Sequence, residues 1–290
     1  MGQITKSLAI ASLFPKSMER FEALEKTLHY IKGRGFTMVE FYTPPGHDRE
    51  LAKLLKETGF ASVFIAVYAL KGAGFSLCAP EEAERLKAVE VLKDCLDRGA
   101  VMGCRTVLIN SGFLPKDGAL IDAACESYIR SIREAYAYIA SKGYTLDIVL
   151  EPGDSCVQSF QLLGPTDRVV ETTKEIRSRI PGYGLTMDVA HLREEGEDIM
   201  GSLTKTLPYC THIHLCNCVM DDPKHPFYGD KHVDFDYPGA SFGYADFERM
   251  YGEIRRLYKG RDFIITLESL CRTEDNERWF DELVRNCSWL

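Results

Sequence analysis

No apolar run in this 290-residue chain approaches the roughly 18 consecutive residues of a membrane span. The polar start from Met1 to Ser7 also lacks the basic and apolar regions of a secretory leader. Neither a membrane partner nor export is expected, and the expected location is the cytoplasm. Positive charge is in deficit: 35 Lys and Arg stand against 43 Asp and Glu, a formal net charge of −8. That balance argues against nucleic-acid backbones and anionic lipid surfaces as partners and leaves small molecules open. No Gly-rich turn follows the first apolar run, so the dinucleotide signal of an open doubly wound sheet is missing. No linker or low-complexity segment divides the chain, and residues 1–290 are read as a single domain. Cysteine is plentiful, with ten residues, but scattered. Cys78, Cys95, Cys104, Cys125 and Cys287 fall inside apolar patterns, as small core residues of a reducing compartment do. The one tight pair, Cys216-Asn217-Cys218, has no second pair at zinc-site spacing and is read as structural.

What the chain does have is alternation. Leu8 to Pro15 is an apolar run closed by a proline and is predicted as a first strand, followed by a helix with Phe21, Leu24, Leu28 and Ile31 at helical spacing. Phe36 to Tyr42 is strand-like and breaks at Pro44, Pro45 and Gly46, before a helix from Asp48 to Gly59. Ala61 to Tyr68 is a third strand, and Pro80 opens a long helix punctuated by Gly99 and Gly103. Strands at Thr106–Asn110, Leu146–Glu151, Tyr183–Asp188, His212–Cys216 and Phe263–Glu268 follow, each with a helical pattern behind it. A long polar connection, Met220 to Gly243, separates the seventh strand from its helix. About eight strand-then-helix units in strict order predict a (β/α)8 TIM barrel of the α/β class.

In such a barrel the chemistry sits at the carboxyl ends of the strands. Glu151 ends the fifth, Asp188 the sixth and Glu268 the eighth, while the seventh carries His212 and His214 on one face, since residues i and i+2 of a strand share a side. Three carboxylates and an imidazole on four neighbouring strands repel unless a cation lies between them. Hard oxygens with one imidazole suit one divalent ion of the Mn, Co, Mg or Zn type. Taken singly, each has an ordinary alternative: Glu151 caps a loop, Asp188 caps the following helix, Glu268 pairs with Arg272. His212, one layer deeper than His214, is expected to be a hydrogen-bonded core histidine. His191, three residues past Asp188, is within reach of a bound polyol. His232, in Gly229-Asp230-Lys231-His232, lies in the loop expected to cover the site. Glu40, near the end of the second strand, is expected either to touch substrate or to anchor the structure.

These residues resemble the xylose isomerase-like TIM barrels, the superfamily of sugar isomerases and epimerases, inosose dehydratases and endonuclease IV-type repair enzymes. Leu150-Glu151-Pro152, Met187-Asp188-Val189-Ala190-His191, His212-Ile213-His214, Gly229-Asp230-Lys231-His232 and Leu267-Glu268-Ser269 occur in the family's order and span most of the chain. The resemblance implies that Glu151, Asp188, His214 and Glu268 hold one divalent metal ion. It further implies that Glu151 and Glu268 double as the catalytic acid and base and that His191 contacts substrate, with His232 and Glu40 as further substrate-binding candidates. The implied partner is a small-molecule sugar or keto-sugar, with neither nucleic acid nor membrane, and the chain is expected to form a homo-oligomer. The expected activity is a metal-dependent isomerase or epimerase working through an enediolate on an unphosphorylated ketose or keto-sugar. The alternative is a lyase on a 3-keto sugar or inosose, and lesser rivals are a repair nuclease and a non-catalytic sugar-binding barrel. The chain departs from the nuclease pattern in placing Tyr68 and Asn110 where two histidines are looked for. It departs from the ketose epimerases in running Cys216, Asn217, Cys218, Val219, Met220 where an arginine is usual.

Overall fold

The short apolar runs become parallel strands because each is buried on both faces, by the barrel interior on one side and a helix on the other. The computed structural model describes residues 2–43 and 46–290. Met1 lies outside the described residues, as do Pro44 and Pro45, two of the three residues read as the break after the second strand. Among the described residues the strands are β1 Ile4–Ala9, β2 Met38–Phe41, β3 Ala61–Ile65, β4 Thr106–Ile109, β5 Asp147–Leu150, β6 Gly184–Asp188, β7 Cys210–Leu215 and β8 Phe263–Leu267. Each pairs in parallel with its sequence neighbour, and β8 closes on β1 in the register Ile4–Phe263 to Leu8–Leu267. The fold is a single-domain (β/α)8 TIM barrel.

Around it lie α1 Ile10–Leu13, α2 Phe21–Ile31, α3 Asp48–Thr58, α4 Val67–Ala73, α5 Glu82–Met102, α6 Ile121–Lys142, α7 Thr166–Arg177, α8 Val189–Glu194, α9 Ile199–Thr206, α10 Tyr244–Leu257 and α11 Asn276–Asn286. Their apolar stripes face the strands: Leu51, Leu54 and Leu55 of α3 are buried, as are Phe247, Met250 and Ile254 of α10. Gly103 ends α5 in a left-handed conformation, as expected. Gly99 does not punctuate that helix but lies inside it. A Cβ there would stand 3.2 Å from the Val107 side chain, so the missing side chain lets α5 settle on β4.

Two predicted strands are corrected. The run Leu8–Pro15 is strand only as far as Ala9, and β1 begins earlier, at Ile4; Ile10–Leu13 turns into α1. Ala61–Tyr68 is likewise strand only to Ile65, after which Val67–Ala73 forms α4. In both places the run stays largely apolar across the junction, so hydrophobicity alone does not separate a short helix from a strand. The consequence is functional, because α1 and α4 overhang the carboxyl ends of their strands.

Candidate functional site

The pairing register sets the floor of the site. Asp188 of β6 pairs across from His214 of β7, and His214 from Thr266 of β8. With side chains alternating along β7, His212 and His214 point into the barrel while Ile213 and Leu215 face the helices. Glu151 and Glu268 follow β5 and β8 directly. Ligand atoms from Glu151, Asp188, His214 and Glu268 all lie within 4.8 Å of one another, so four of the predicted residues meet as expected. His214 Nδ1 is 2.9 Å from Glu151 Oε1, 2.9 Å from Glu268 Oε2 and 3.9 Å from Asp188 Oδ2.

The other nitrogen of His214 fixes its tautomer. Nε2–H donates to Glu40 Oε2 at 3.1 Å. The lone pair left on Nδ1 is therefore aimed at the carboxylates, and Nδ1 has no hydrogen-bond partner despite their closeness. Asp188 divides its two oxygens in the same way. Oδ1 caps α8, accepting from Ala190 N at 2.6 Å and His191 N at 3.3 Å. Oδ2 is buried without a partner and faces the cluster. The cap and the ligand readings of Asp188 are thus compatible, one oxygen serving each. Two buried, orphaned atoms facing two further carboxylates fit a divalent cation, because without one each would carry an uncompensated desolvation cost.

Electrostatics agree with a site built for positive charge. Burial pushes the Asp188 carboxyl up to about 6. Burial works the same way on Glu268 but is outweighed by His232 and His214, which hold its carboxyl below the usual range. Burial opposes protonation of His214, yet Glu40 and Glu151 overcome it and raise the imidazole well above its ordinary value. A proton on His214 thus stands in for a cation, and the two compete for the same lone pair.

Glu40 is corrected as a substrate contact. It is fully buried beneath His214, where Ser7 Oγ donates to Oε1 at 3.1 Å, His212 Nε2 donates to Oε1 at 2.9 Å, and Thr266 donates to the same oxygen. It does not line the cavity above, so it is the anchor of the two readings. His212, held by Glu40 and by Thr266 Oγ1 at 2.8 Å, is the core histidine expected.

Above the floor is a cavity of about 290 Å³ bordered by Glu151, His191, His214, Asp230, His232 and Glu268, with Tyr68 and Asn110 at its side. His191 Nδ1–H donates to the Pro152 carbonyl at 2.9 Å, turning Nε2 toward Asp230 Oδ2 at 3.7 Å. His232 Nε2 lies 2.6 Å from Asp230 Oδ1, and its Nδ1 lies 3.1 Å from Glu268 Oε1. Asp188, His191 and His232 form a second convergent set.

Sequence reasoning passed over Ser12, whose hydroxyl donates to Glu268 Oε1 at 2.9 Å; the strand prediction for Leu8–Pro15 hid the turn that delivers it. It left open whether Asp230 and His232 bind substrate or a second metal, and did not foresee that Asp230 stands between two histidines. Lys71 on α4 was missed for the same reason as Ser12. Arg272 does not pair with Glu268; its guanidinium donates to backbone carbonyls instead.

Comparison with known proteins adds the following. The family model for xylose isomerase-like TIM barrels matches residues 28–289. No curated protein matches the chain at a significant level. Similar solved structures include a D-tagatose 3-epimerase-like protein, 15% identical with a TM-score of 0.72 over 97% of each chain. Another is the 3-keto-D-glucoside 4-epimerase of E. coli, 16% identical with a TM-score of 0.67 over 100% of this chain and 98% of that one. A third is an AP endonuclease, family 2, from Brucella melitensis, 18% identical with a TM-score of 0.66 over 97% and 99%. At such identities the likeness shows the fold.

Proposed function

The chain belongs to the xylose isomerase-like TIM barrel family, and from that premise we propose that it is a divalent-metal-dependent isomerase or epimerase of an unphosphorylated ketose or keto-sugar. The observation that carries the reading is the pair Glu151 and Glu268. Both border the cavity, and each places an oxygen 2.9 Å from His214 Nδ1, on opposite sides of the strands that bear Asp188 and His214. Glu151, Asp188, His214 and Glu268 would hold the ion, of the Mn, Co, Mg or Zn type. When bound, such an ion supplies a Lewis acid that polarises a carbonyl and steadies negative charge on the neighbouring oxygen.

The remaining work falls to side chains. One glutamate removes the proton from the carbon next to the carbonyl, leaving an enediolate, and the other returns a proton to the adjacent carbon or to the opposite face of the same one. Ser12, donating to Glu268 Oε1, holds that carboxylate in place. His191 and His232 bind substrate hydroxyls, with Asp230 fixing which ring nitrogen each presents. Several of the similar solved structures carry the names of sugar epimerases, acting on tagatose, psicose, ribulose and a 3-keto-glucoside, which is the substrate class proposed.

A second reading, elimination from a 3-keto sugar or inosose, is favoured by Tyr68. Tyr68 borders the same cavity, and its phenol, protonated at neutral pH, can supply the proton a leaving group needs. The test is solvent exchange. Ketoses and 3-keto sugars are incubated in heavy water with the protein and Mn, and deuterium entering a carbon position is measured. Glu151→Gln and Glu268→Gln, assayed at saturating Mn, should slow exchange by the 10² to 10⁴ typical of lost acid–base catalysis. Wild-type exchange in both variants defeats the assignment, and release of a leaving group in place of exchanged sugar selects elimination.

A further inference from the structure

His232 is one of the two non-glycine residues, among those described, with a left-handed backbone: φ is +47°. A side-chain-bearing residue holds that conformation only when its surroundings over-determine it, and such strain gathers at functional sites. The surroundings here are specific. All three carbonyls of the stretch Asp230-Lys231-His232 are captured from outside the loop. Gln158 Nε2, from the connection after β5, donates to the Asp230 carbonyl at 2.9 Å. Arg272, just past β8, donates from Nη2 to the Lys231 carbonyl. Its Nη1 donates to the His232 carbonyl at 3.3 Å, and the Leu270 N–H donates to that same oxygen at 2.7 Å. The guanidinium is steadied in turn by the Leu270 carbonyl at 2.9 Å and by the ring of Phe227, whose centroid is 4.8 Å from Cζ.

The geometry points to Arg272 as a positioning residue: it clamps the loop in the strained turn that aims the His232 imidazole between Asp230 and Glu268. A flexible cation in water would gain little from three carbonyls. Here the planar fork matches two successive carbonyl oxygens at once, which a lysine ammonium does less well. The close packing of the loop agrees, since a Cβ on Gly229 would meet Gln158 Oε1 at 3.1 Å and Val157 Cγ1 at 3.2 Å. Without the clamp the loop relaxes toward an ordinary right-handed or extended backbone at His232, and the ring swings off its line to Glu268 Oε1 and Asp230 Oδ1.

This inference rests on His232 as a site residue, and its test needs no substrate. The full chain, labelled with ¹³C at histidine Cε1 and kept in Mg²⁺, gives one signal for each of seven histidines. The His232 signal is identified by its loss in His232→Gln. In Arg272→Ala that signal should move by more than its linewidth or broaden, while the signals of His29 and His47, remote from the loop, stay in place and certify the fold. Arg272→Lys should show a smaller displacement, as one donor is kept. An unmoved His232 signal in folded Arg272→Ala overturns the assignment, as does a displacement that Arg272→Lys does not reduce. Should Arg272→Ala fail to fold, Arg272→Gln is read by the same criterion. The outcome is independent of whether any sugar exchanges a proton, so this inference and the proposed function can fail separately.

Discussion

Replacing Glu40 by glutamine tests whether the layer beneath the site sets metal affinity. Glu40 never reaches the cavity, yet it receives His214 Nε2–H at 3.1 Å, His212 Nε2–H at 2.9 Å and Ser7 Oγ at 3.1 Å, all without solvent. Glutamine keeps the shape and one acceptor but sets an NH₂ against at least one of these donors. A charge-assisted hydrogen bond contributes about 1.5–3 kcal/mol, and the negative charge that makes His214 a stronger donor through Nδ1 is removed with it. Losses of such outer partners lower metal affinity by about 10- to 100-fold, or about 1.4–2.7 kcal/mol. Because ligand binding stabilises by RT ln(1 + [L]/Kd), the same energy disappears from the Mn-dependent rise in stability at fixed excess Mn. Titration calorimetry with Mn, and thermal melts with and without it, measure both quantities on one variant. Unchanged affinity in a folded Glu40→Gln protein refutes the argument. A variant that instead loses sugar affinity with metal binding intact would restore Glu40 as a substrate contact.

Three further outcomes are expected. His191→Ala should leave metal content nearly unchanged while lowering proton exchange, whereas His214→Ala should lose metal by elemental analysis; equal loss in both would undo the division of roles. Glu194 is buried with both carboxylate oxygens unpartnered, and burial pushes it up to about 8. Raised above an unfolded value near 4.3, it makes stability fall as pH rises between about 4 and 8, so Glu194→Gln should gain on the order of 1–3 kcal/mol at pH 8 and little at pH 4, read as Tm at both. A gain of equal size at the two pH values contradicts the buried-charge account. Gly99→Leu should overpack the contact with Val107 and cost about 1–3 kcal/mol in urea melts, and a neutral result would show that α5 can lift off β4.

The barrel and the four converging residues were legible because both are periodic facts. A strand that must bury two faces advertises itself as a β-branched run, and a carboxylate that closes such a run has only the barrel mouth to point into. Ser12 and Lys71 were not legible, because each sits on a short helix spliced directly to a strand. The chain only has to bend once past Ala9 or Ile65 for the following side chains to overhang the cavity. Propensity over four to seven residues is too weak to announce such a bend.

Glu40 shows a different limit. Its sequence context, Val39-Glu40-Phe41, places a carboxylate inside the barrel but is silent on depth, and depth decides the role. Glu151 and Glu268 come one residue after their strands end and reach the cavity, whereas Glu40 lies within β2, paired with Ala9 and Val63, and is roofed by His214. A shift of one or two residues along a strand, about 3.3 Å each, thus separates a group that can meet substrate from one that can only orient the group that does. The His-Ile-His spacing of β7 is the same distinction written twice. His212 and His214 share a face; the deeper ring gives its Nε2 to Glu40 and Thr266, while the upper turns Nδ1 toward Glu151, Asp188 and Glu268. That nitrogen can serve a cation because the buried layer beneath it, in which Ser7, His212 and Thr266 donate to Glu40, takes up the other one, His214 Nε2–H.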